Sequence, residues 1–435
     1  MGFVLNPYDP CIANFMIDEK QCTVAWYANK ISHEDPKVVS MIIDRLEEHF
    51  GKMTVTRGKE HVSLGMKIRF TTSRTAVLSM KSYLEESIKE CGMNIVLKAN
   101  TPAKRTLFEV DPKSRALNKE EAETFHRIVA KLLYVSIRAR ADILLPVGFL
   151  CTRVSKSTEQ DQAKLKRVLE YINGTINLEY TLGADSLNKL RTWVDASYAV
   201  HPDMKSHTGG IMSLGIGGIA QKSTKHKLNT KGSTEAELEG ASDYLPNVLW
   251  EKMFMEAQGY KIEENIFEQD NESAIKLEKN GRLSAGPRSR HVDIRYFWIK
   301  DRTNANDINI RHCPTTLMLA DFFTKPLQGA LFTRFRDVIL GHKHVNSLNV
   351  GPTPEPEERV GRERADGHGT DEPDDSGFIL VKGRRKYKPE RGYETVAPVP
   401  VNVSVNEWTE KKKLVNEESK DVSKAHSFET IPLIE

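Results

Sequence analysis

The sequence predicts an α+β protein whose best-defined part is a mixed sheet with flanking helices between residues 185 and 345. Three observations support this. Between Leu190 and Lys222 lie three strand-like runs, the last two joined by a glycine-containing turn, which is the pattern of an antiparallel meander. A long helical run from Ser233 follows, and strand and helix patterns then alternate, as a mixed sheet requires. Strand and helix patterns also alternate upstream, whereas the last stretch carries proline and charge in place of periodic apolar positions.

From the N-terminus, Gln21-Cys-Thr-Val-Ala-Trp-Tyr27 reads as a strand entered from the polar turn Asp18-Glu-Lys20. Pro36 to Phe50 sets Val38, Val39, Met41, Ile42, Ile43, Leu46 and Phe50 close to helical spacing, with Gly51 where a C-cap belongs. Strands are predicted at His61–Gly65 and Met66–Phe70, then a helix from about Lys81 to Lys89 that stops near Gly92. With no earlier sheet before its first strand, the segment 1–100 reads as a truncated α/β unit.

Residues 101–184 are predicted to be mostly helical. Asn118 precedes a helix whose first turn, Lys119-Glu-Glu-Ala-Glu123, is acidic as the helix dipole favours, and whose face carries Phe125, Ile128, Val129, Leu132 and Leu133. Thr158 opens a second helix, with Leu165, Val168, Leu169 and Ile172 apolar and Gly174 as the stop. Such helices read as a packed connector. Ile143–Cys151 is the densest apolar run. It is short of the roughly 18–20 residues of a membrane helix and reads as core.

In 185–345, strands are expected at Leu190–Tyr198, Thr208–Leu214 and Gly217–Lys222, followed by a helix from Ser233 to about Ala257 with a kink at Pro246. A strand at Asn265–Gln269, a short helix from Ser273, a helix near Val292–Arg302, a strand at Asp307–Cys313 and a final helix from Thr316 complete it. The tail, 346–435, is expected to be disordered. Eight of the nineteen prolines fall after residue 350, among the acidic clusters Glu355–Glu358 and Asp371–Asp375 and the basic Lys382–Lys388, so little apolar surface is left to bury.

Charge and cysteine usage narrow the function classes. The 63 basic and 60 acidic residues leave a net charge of +3, so any nucleic-acid surface must come from local clustering. Cys11, Cys22, Cys91, Cys151 and Cys313 show no CxxC spacing, which argues against zinc and against a secreted disulfide framework. The N-terminus lacks a signal-peptide pattern and no apolar run reaches membrane length. An intracellular protein, cytoplasmic or nuclear, with no membrane partner is the expectation.

Four acids stand at the tips of predicted elements. Asp195 ends the strand in Arg191-Thr-Trp-Val-Asp195, and Glu237 lies near the start of the long helix in Gly232-Ser-Thr-Glu-Ala-Glu-Leu238. Asp270 ends the fourth strand in Phe267-Glu-Gln-Asp-Asn271, and Asp321 is placed on the last helix in Leu319-Ala-Asp-Phe-Phe-Thr-Lys-Pro326. Each alone is also explained as an ordinary strand-end or helix-start residue. Together, at one end of a sheet, about four carboxylates can hold two divalent ions roughly 3.5–4 Å apart, which activate water and stabilise the leaving alkoxide in phosphodiester hydrolysis. Oxygen ligands of this hard kind select Mg²⁺ or Mn²⁺.

The glutamate is ambiguous, because Glu235 and Glu237 lie on different helix faces. Glu237 is preferred, since Leu238, Ala241, Leu245 and Leu249 line the core face beside it; Glu235 is then a helix N-terminal acid. His312 falls inside a predicted strand and reads as structural, His291 as a cap or surface residue, and Asp293 as a helix N-terminal acid. Lys222, Lys225 and Lys227 precede the glutamate helix, and Arg282, Arg288 and Arg290 follow the Asp270 strand. Read as phosphate contacts, they would give salt-dependent binding with little sequence preference. Solvated loop cations are the plain alternative.

The runs Trp193-Val-Asp-Ala-Ser-Tyr198, Lys205-Ser-His-Thr-Gly-Gly210, Ser233-Thr-Glu-Ala-Glu237, Gln269-Asp-Asn-Glu-Ser-Ala274, Arg290-His-Val-Asp-Ile-Arg-Tyr296 and Leu319-Ala-Asp-Phe-Phe-Thr-Lys-Pro-Leu327 resemble, in consistent order, the ribonuclease H domain of copia-type LTR retrotransposon Pol polyproteins. The resemblance implies a ribonuclease H-like mixed five-stranded sheet with flanking helices. It implies cleavage of the RNA strand of an RNA–DNA hybrid with two Mg²⁺ (or Mn²⁺) ions, Asp195, Glu237, Asp270 and Asp321 being the catalytic metal ligands. In the family the glutamate directly precedes a core-face residue, here Leu238. Cellular ribonucleases H have a mobile histidine near the position of His312, which copia-type sequences generally lack. RNA would be distinguished by its 2′-hydroxyl and by the groove of the hybrid. Other retroelement Pol or capsid proteins are implied as further partners.

Tyr8-Asp-Pro-Cys11, Gln21–Tyr27, Asn29-Lys-Ile-Ser-His33 and Leu64-Gly-Met66 resemble the end of the same family's reverse transcriptase palm and the region after it, and 101–184 its helical thumb or connection. Where the polymerase needs a tyrosine, one spacer and two aspartates, the chain reads Tyr27-Ala-Asn-Lys30, so polymerase activity is expected to be absent. Two other readings compete. One is a non-catalytic remnant that at most binds nucleic acid or protein. The other is a transposase or integrase, which Ala320-Asp-Phe-Phe-Thr-Lys-Pro326 and the lack of a preceding His/Cys zinc segment disfavour.

Overall fold

The computed structural model of the protein describes residues 2–26, 30–281 and 293–349, which belong to the compact unit Met1–Glu357. The expectations for Tyr27-Ala-Asn29, for Arg282, Arg288, Arg290 and His291, and for the tail beyond 349 lie outside these residues, whereas residues 346–349, expected to open the disordered tail, belong to a 3₁₀ turn, Val345–Asn349, that buries Leu348.

Four strands, β1 (Val4–Asn6), β2 (Asp9–Ile17), β3 (Lys20–Ala25) and β4 (Lys30–Ser32), form an antiparallel sheet in sequential order. Asp18 and Glu19 link β2 to β3 with φ of 49° and 62°, the left-handed pair whose twist matches a tight hairpin. Two strands of its own sheet thus precede Gln21, contrary to the sequence reading, which began with that strand. Pro10 and Asn14 break the β-branched pattern, and only pairing such as Phe15 with Cys22 makes Asp9–Ile17 a strand. Helix α1 (Pro36–Phe50) follows as expected. The Asp35 side chain accepts from Lys37 N, Pro36 begins the helix, and Gly51 closes it at φ 81°.

A second antiparallel sheet is ordered β11-β8-β7-β6-β5, from β5 (Glu60–Ser63), β6 (Met66–Phe70), β7 (Ala76–Ser79), β8 (Tyr180–Ala184) and β11 (Gly215–Ile216). Helices α2 (Lys81–Glu90), α3 (Lys119–Arg138), α4 (Leu144–Cys151) and α5 (Glu159–Gly174) intervene between β7 and β8. Asn118 with Glu121, and Thr158 with Asp161, form reciprocal capping boxes that satisfy the first free N–H groups of α3 and α5.

The third sheet positions the site. Its order is β12-β10-β9-β13-β14, from β9 (Lys189–Ser197), β10 (His207–Ser213), β12 (Ala220–Lys225), β13 (Glu264–Gln269) and β14 (Asn309–His312). The first three pair antiparallel, while β13 runs parallel to β9 and β14 parallel to β13. Successive side chains of β9 point to opposite faces. Val194 therefore joins Met212, Tyr244, Leu245 and Val248 under helix α6 (Ser233–Ala257). Trp193 and Ile211 join the core of α3, α4 and α5 together with Phe323 and Phe335. Helices α7 (Glu272–Asn280), α8 (Asp293–Asn304) and α9 (Gly329–Ile339) complete the described chain.

Two expected elements differ. The strand placed at Gly217–Lys222 runs instead over Ala220–Lys225, and Gly215–Ile216 pairs with β8. Gly217 has φ +71°, and a Cβ there would lie 2.2 Å from Thr181 O, so the chain turns between sheets at a residue only glycine can fill. The helix expected from Thr316 is two 3₁₀ turns, Thr315–Leu317 and Leu319–Phe323, and α9 begins only at Gly329. Pro326 lacks an N–H and restricts Lys325 to extended backbone, which prevents an α-helix from running through.

Candidate active site

Asp195 lies on β9 opposite Gly209 of β10. Because β13 runs parallel to β9, Asp270, directly after β13, emerges at the same sheet end. Its turn is held by the fully buried Gln269, whose Oε1 accepts the backbone N–H of Asp270 (2.9 Å) and Asn271 (3.1 Å). Asn271 then caps α7 through Ser273 N and Ala274 N. Glu237 arrives from α6, whose close seat depends on Gly240: a Cβ there would be 3.0 Å from Thr208 Oγ1 and 3.3 Å from Ala196 Cβ. Glu237 Oε2 accepts from Ala196 N at 3.1 Å.

One carboxylate oxygen from each of Asp195, Glu237 and Asp270 consequently lies within 4.8 Å of the other two. Asp195 is 2% exposed and Glu237 5%, so most of this charge is withheld from water. Asp321, 6% exposed, sits on the second 3₁₀ turn. It stands outside that threefold cluster and beside it: Lys325 Nζ donates to Asp321 Oδ1 at 2.7 Å and lies 3.4 Å from Asp195 Oδ1. The Thr324 hydroxyl donates to Asp195 Oδ2, and Ser197 Oγ donates to Thr324 O at 3.3 Å. This approach needs Gly209, where a Cβ would meet Phe323 Cβ and Thr324 Cγ2 at 2.8 Å.

Burial is the largest force on these groups. It raises the pKa of Asp195 against the opposing Lys325 charge and Thr324 hydroxyl. It raises Glu237 well above the carboxylate range, with the charges of Asp195 and Asp270 acting the same way. Asp321 is pushed up to about 7 by burial and by Asp195, Lys325 opposing. Burial acts to deprotonate Lys325, but Asp195 and Asp321 outweigh it and its pKa rises. The result is a partly neutralised pocket of negative charge, whose cost a bound cation would relieve. All its ligand atoms are carboxylate oxygens, the donor set that suits a hard divalent ion.

Of the glutamate pair the geometry brings in Glu237; Glu235 Oε2 accepts from Lys231 N at 2.9 Å. Among the described residues, the predicted contacts Lys222, Lys225 and Lys227 do not converge on the acids. Lys222 Nζ donates to Asp243 O (3.1 Å), Lys225 Nζ pairs with Asp203 (2.7 Å), and Lys227 is exposed in the loop before α6. His312 is exposed at the end of β14. The sequence reading assigned no role to Thr324, Lys325 or Gln269. The four-residue spacing of Asp321 and Lys325 was the available signal for the pair. Thr315 Oγ1, which donates to Asp270 Oδ2 at 3.1 Å, had none.

The chain is similar to several transposon proteins. It is 28% identical over 289 residues to the retrovirus-related Pol polyprotein from transposon TNT 1-94 of Nicotiana tabacum, covering 65% of this chain and 21% of that protein. It is 26% identical over 318 residues to the corresponding polyprotein from transposon RE1 of Arabidopsis thaliana (71% and 21%). It is 23% identical over 307 residues to the Ty1-MR1 Gag-Pol polyprotein of Saccharomyces cerevisiae (66% and 17%). Its homologues are thus Pol polyproteins of copia-type transposons at low identity, as the sequence resemblance implied, and the chain spans about a fifth of their length. No family model matches it, and no solved structure does.

Proposed function

We propose that this relative of copia-type Pol polyproteins carries, between residues 185 and 345, a ribonuclease H-type endonuclease that cleaves the RNA strand of RNA–DNA hybrids. The observation that carries the reading is the convergence of Asp195, Glu237 and Asp270 within 4.8 Å from three elements distant in sequence. The sheet order, three antiparallel strands continued by two parallel ones, supports it as well.

Bound at this site, Mg²⁺ or Mn²⁺ would supply activation of water and neutralisation of charge on the leaving oxygen. Asp195, Glu237 and Asp270 would hold it, with Asp321 adjacent. Thr324 and Ser197 fix the orientation of the Asp195 carboxylate, Gln269 fixes the turn that presents Asp270, and α6 aims Glu237 through its bond to Ala196 N. The hybrid's phosphates would meet Lys222, Lys225, Lys227, Arg288 and Arg290, of which Lys222 and Lys225 must first release their present partners.

The test is cleavage of end-labelled RNA in an RNA–DNA hybrid, with Mg²⁺ and with EDTA. Mg²⁺-dependent products that disappear in Asp195→Asn and Asp270→Asn support the reading, and cleavage unaffected by both variants rejects it. The second reading is hybrid binding without turnover. It is favoured by Lys325, whose ammonium already neutralises part of the charge on Asp195 and Asp321.

A further inference from the structure

The Lys205-Ser-His-Thr-Gly-Gly210 run contributes one histidine, His207, to a buried pair with His201 that the acidic cluster does not explain. His201 is 2% exposed and His207 1%. His201 Nε2 faces His207 Nδ1 at 3.0 Å, His207 Nε2 faces Ser223 Oγ at 2.8 Å, and Ser223 Oγ donates to Phe323 O at 2.8 Å.

The proton positions follow from the last bond. A carbonyl only accepts, so the single Ser223 hydroxyl proton is committed to Phe323 O, and Ser223 Oγ must receive from His207 Nε2–H. In a neutral ring His207 Nδ1 is then an acceptor, and His201 Nε2–H donates to it. Burial holds both rings neutral, lowering His201 to about 4 and His207 well below its ordinary range. The chain is thus directional: His201, His207, Ser223, Phe323 carbonyl. Its starting atom, His201 Nδ1, is buried with no hydrogen-bond partner among the described residues. Phe108 stands edge-on to His201 at 5.0 Å and Phe149 stacks on it at 6.1 Å. Phe149 of α4 and Phe108 of the turn ahead of α3 therefore hold the rings in place.

The end point matters because Phe323 precedes Thr324 and Lys325, the two residues that contact Asp195. The 3₁₀ turn Leu319–Phe323 ends with its Phe323 carbonyl tied to β12 by Ser223 and its Thr324 carbonyl tied to β9 by Ser197. We infer that His207 is a positioning residue of the candidate site: with His201 behind it and Ser223 ahead, it fixes the segment that aims the Thr324 hydroxyl and Lys325 ammonium at Asp195. The inference rests on the nuclease reading for its consequence and on hydrogen-bond geometry for its existence.

The test uses the full chain and the variants His207→Leu, Ser223→Ala and His207→Gln, the last keeping an N–H donor toward Ser223. His207→Leu and Ser223→Ala should lower kcat for hybrid cleavage about 10–100-fold, the usual cost of losing an outer partner of a metal site, with KM for the hybrid changed less than about twofold. His207→Gln should recover most of the loss. An unchanged kcat in a folded His207→Leu protein overturns the inference. Two readouts separate it from failure of the nuclease reading. In ¹⁵N histidine spectra of the wild type at pH 7, His201 and His207 should both be neutral with the proton on Nε2; an Nδ1-protonated or charged His207 overturns it. Calorimetric Mn²⁺ affinity should change by about tenfold in His207→Leu, as Thr324 and Lys325 both shift at Asp195, and return to the wild-type value in His207→Gln; an affinity equal to the wild type's in His207→Leu overturns it even if no variant cleaves.

Discussion

The Lys325 ammonium lies 3.4 Å from Asp195 Oδ1, joining a side chain that is 40% exposed to one that is only 2% exposed. This cation stabilises the metal-free acidic cluster and must share the same carboxylates with any bound ion. Lys325→Met should therefore lower stability in EDTA by about 1 kcal/mol, allowing for solvent screening of the exposed ammonium. The same change should tighten Mn²⁺ binding several-fold. Thermal melting in EDTA and calorimetric Mn²⁺ titration measure the two effects. Weaker Mn²⁺ binding in the variant would show instead that Lys325 helps to assemble the ion site.

Glu237 is buried beside the like charges of Asp195 and Asp270. Glu237→Gln keeps the shape and the acceptor for Ala196 N while removing one of the repelling charges. Stability at pH 8 without metal should rise by about 1 kcal/mol, the trade between function and stability common at strained acidic sites. Hybrid cleavage should fall by more than the roughly 10–100-fold that even outer partners of a metal site cost. Urea unfolding and cleavage of one preparation supply both readouts; a destabilised variant contradicts the repulsion.

A methyl group at Gly209 would stand 2.8 Å from Phe323 Cβ and 2.9 Å from Ala320 O. Because the atoms met there are a backbone carbonyl and the short, rigid Phe323 Cβ and Thr324 Cγ2 rather than the end of a long flexible side chain, Gly209→Ala should cost about 1–3 kcal/mol and displace Thr324 from Asp195. Gly232→Ser, at the open N-cap of α6, should be neutral or stabilise by a few tenths of a kcal/mol. Urea midpoints compare the two, and equal midpoints would refute the close-approach account.

Glu278 on α7 is fully buried, neither carboxylate oxygen has a hydrogen-bond partner among the described residues, and burial pushes its pKa up to about 8. Between the ordinary value of 4.5 and 8 the folded chain holds a proton that the unfolded chain has lost, so this residue makes stability fall as pH rises through that window. Glu278→Gln should flatten the dependence of the urea midpoint on pH between 5 and 8, and Glu278→Leu should raise the midpoint at pH 8. A wild-type midpoint whose pH slope is unchanged in Glu278→Gln would count against this origin.

Features that depend on a few consecutive residues were legible in the sequence. The bounds of α1 and α6 match the expected Pro36–Phe50 and Ser233–Ala257, because caps and apolar spacing act within a few turns. Asp195, Glu237 and Asp270 were legible as acids at element ends. Tertiary structure alone decided the rest. Sheet β11-β8-β7-β6-β5 joins strands more than a hundred residues apart, and no local pattern encodes such a pairing. The departure of Asp321 from an α-helix, the meeting of Lys325 with Asp195 and the committed protons of His201 and His207 likewise depend on what packs opposite. Composition and spacing determined which groups could act. Burial then decided how they do, because the pKa of a carboxylate and the choice of imidazole tautomer respond to the dielectric and the partners that folding supplies.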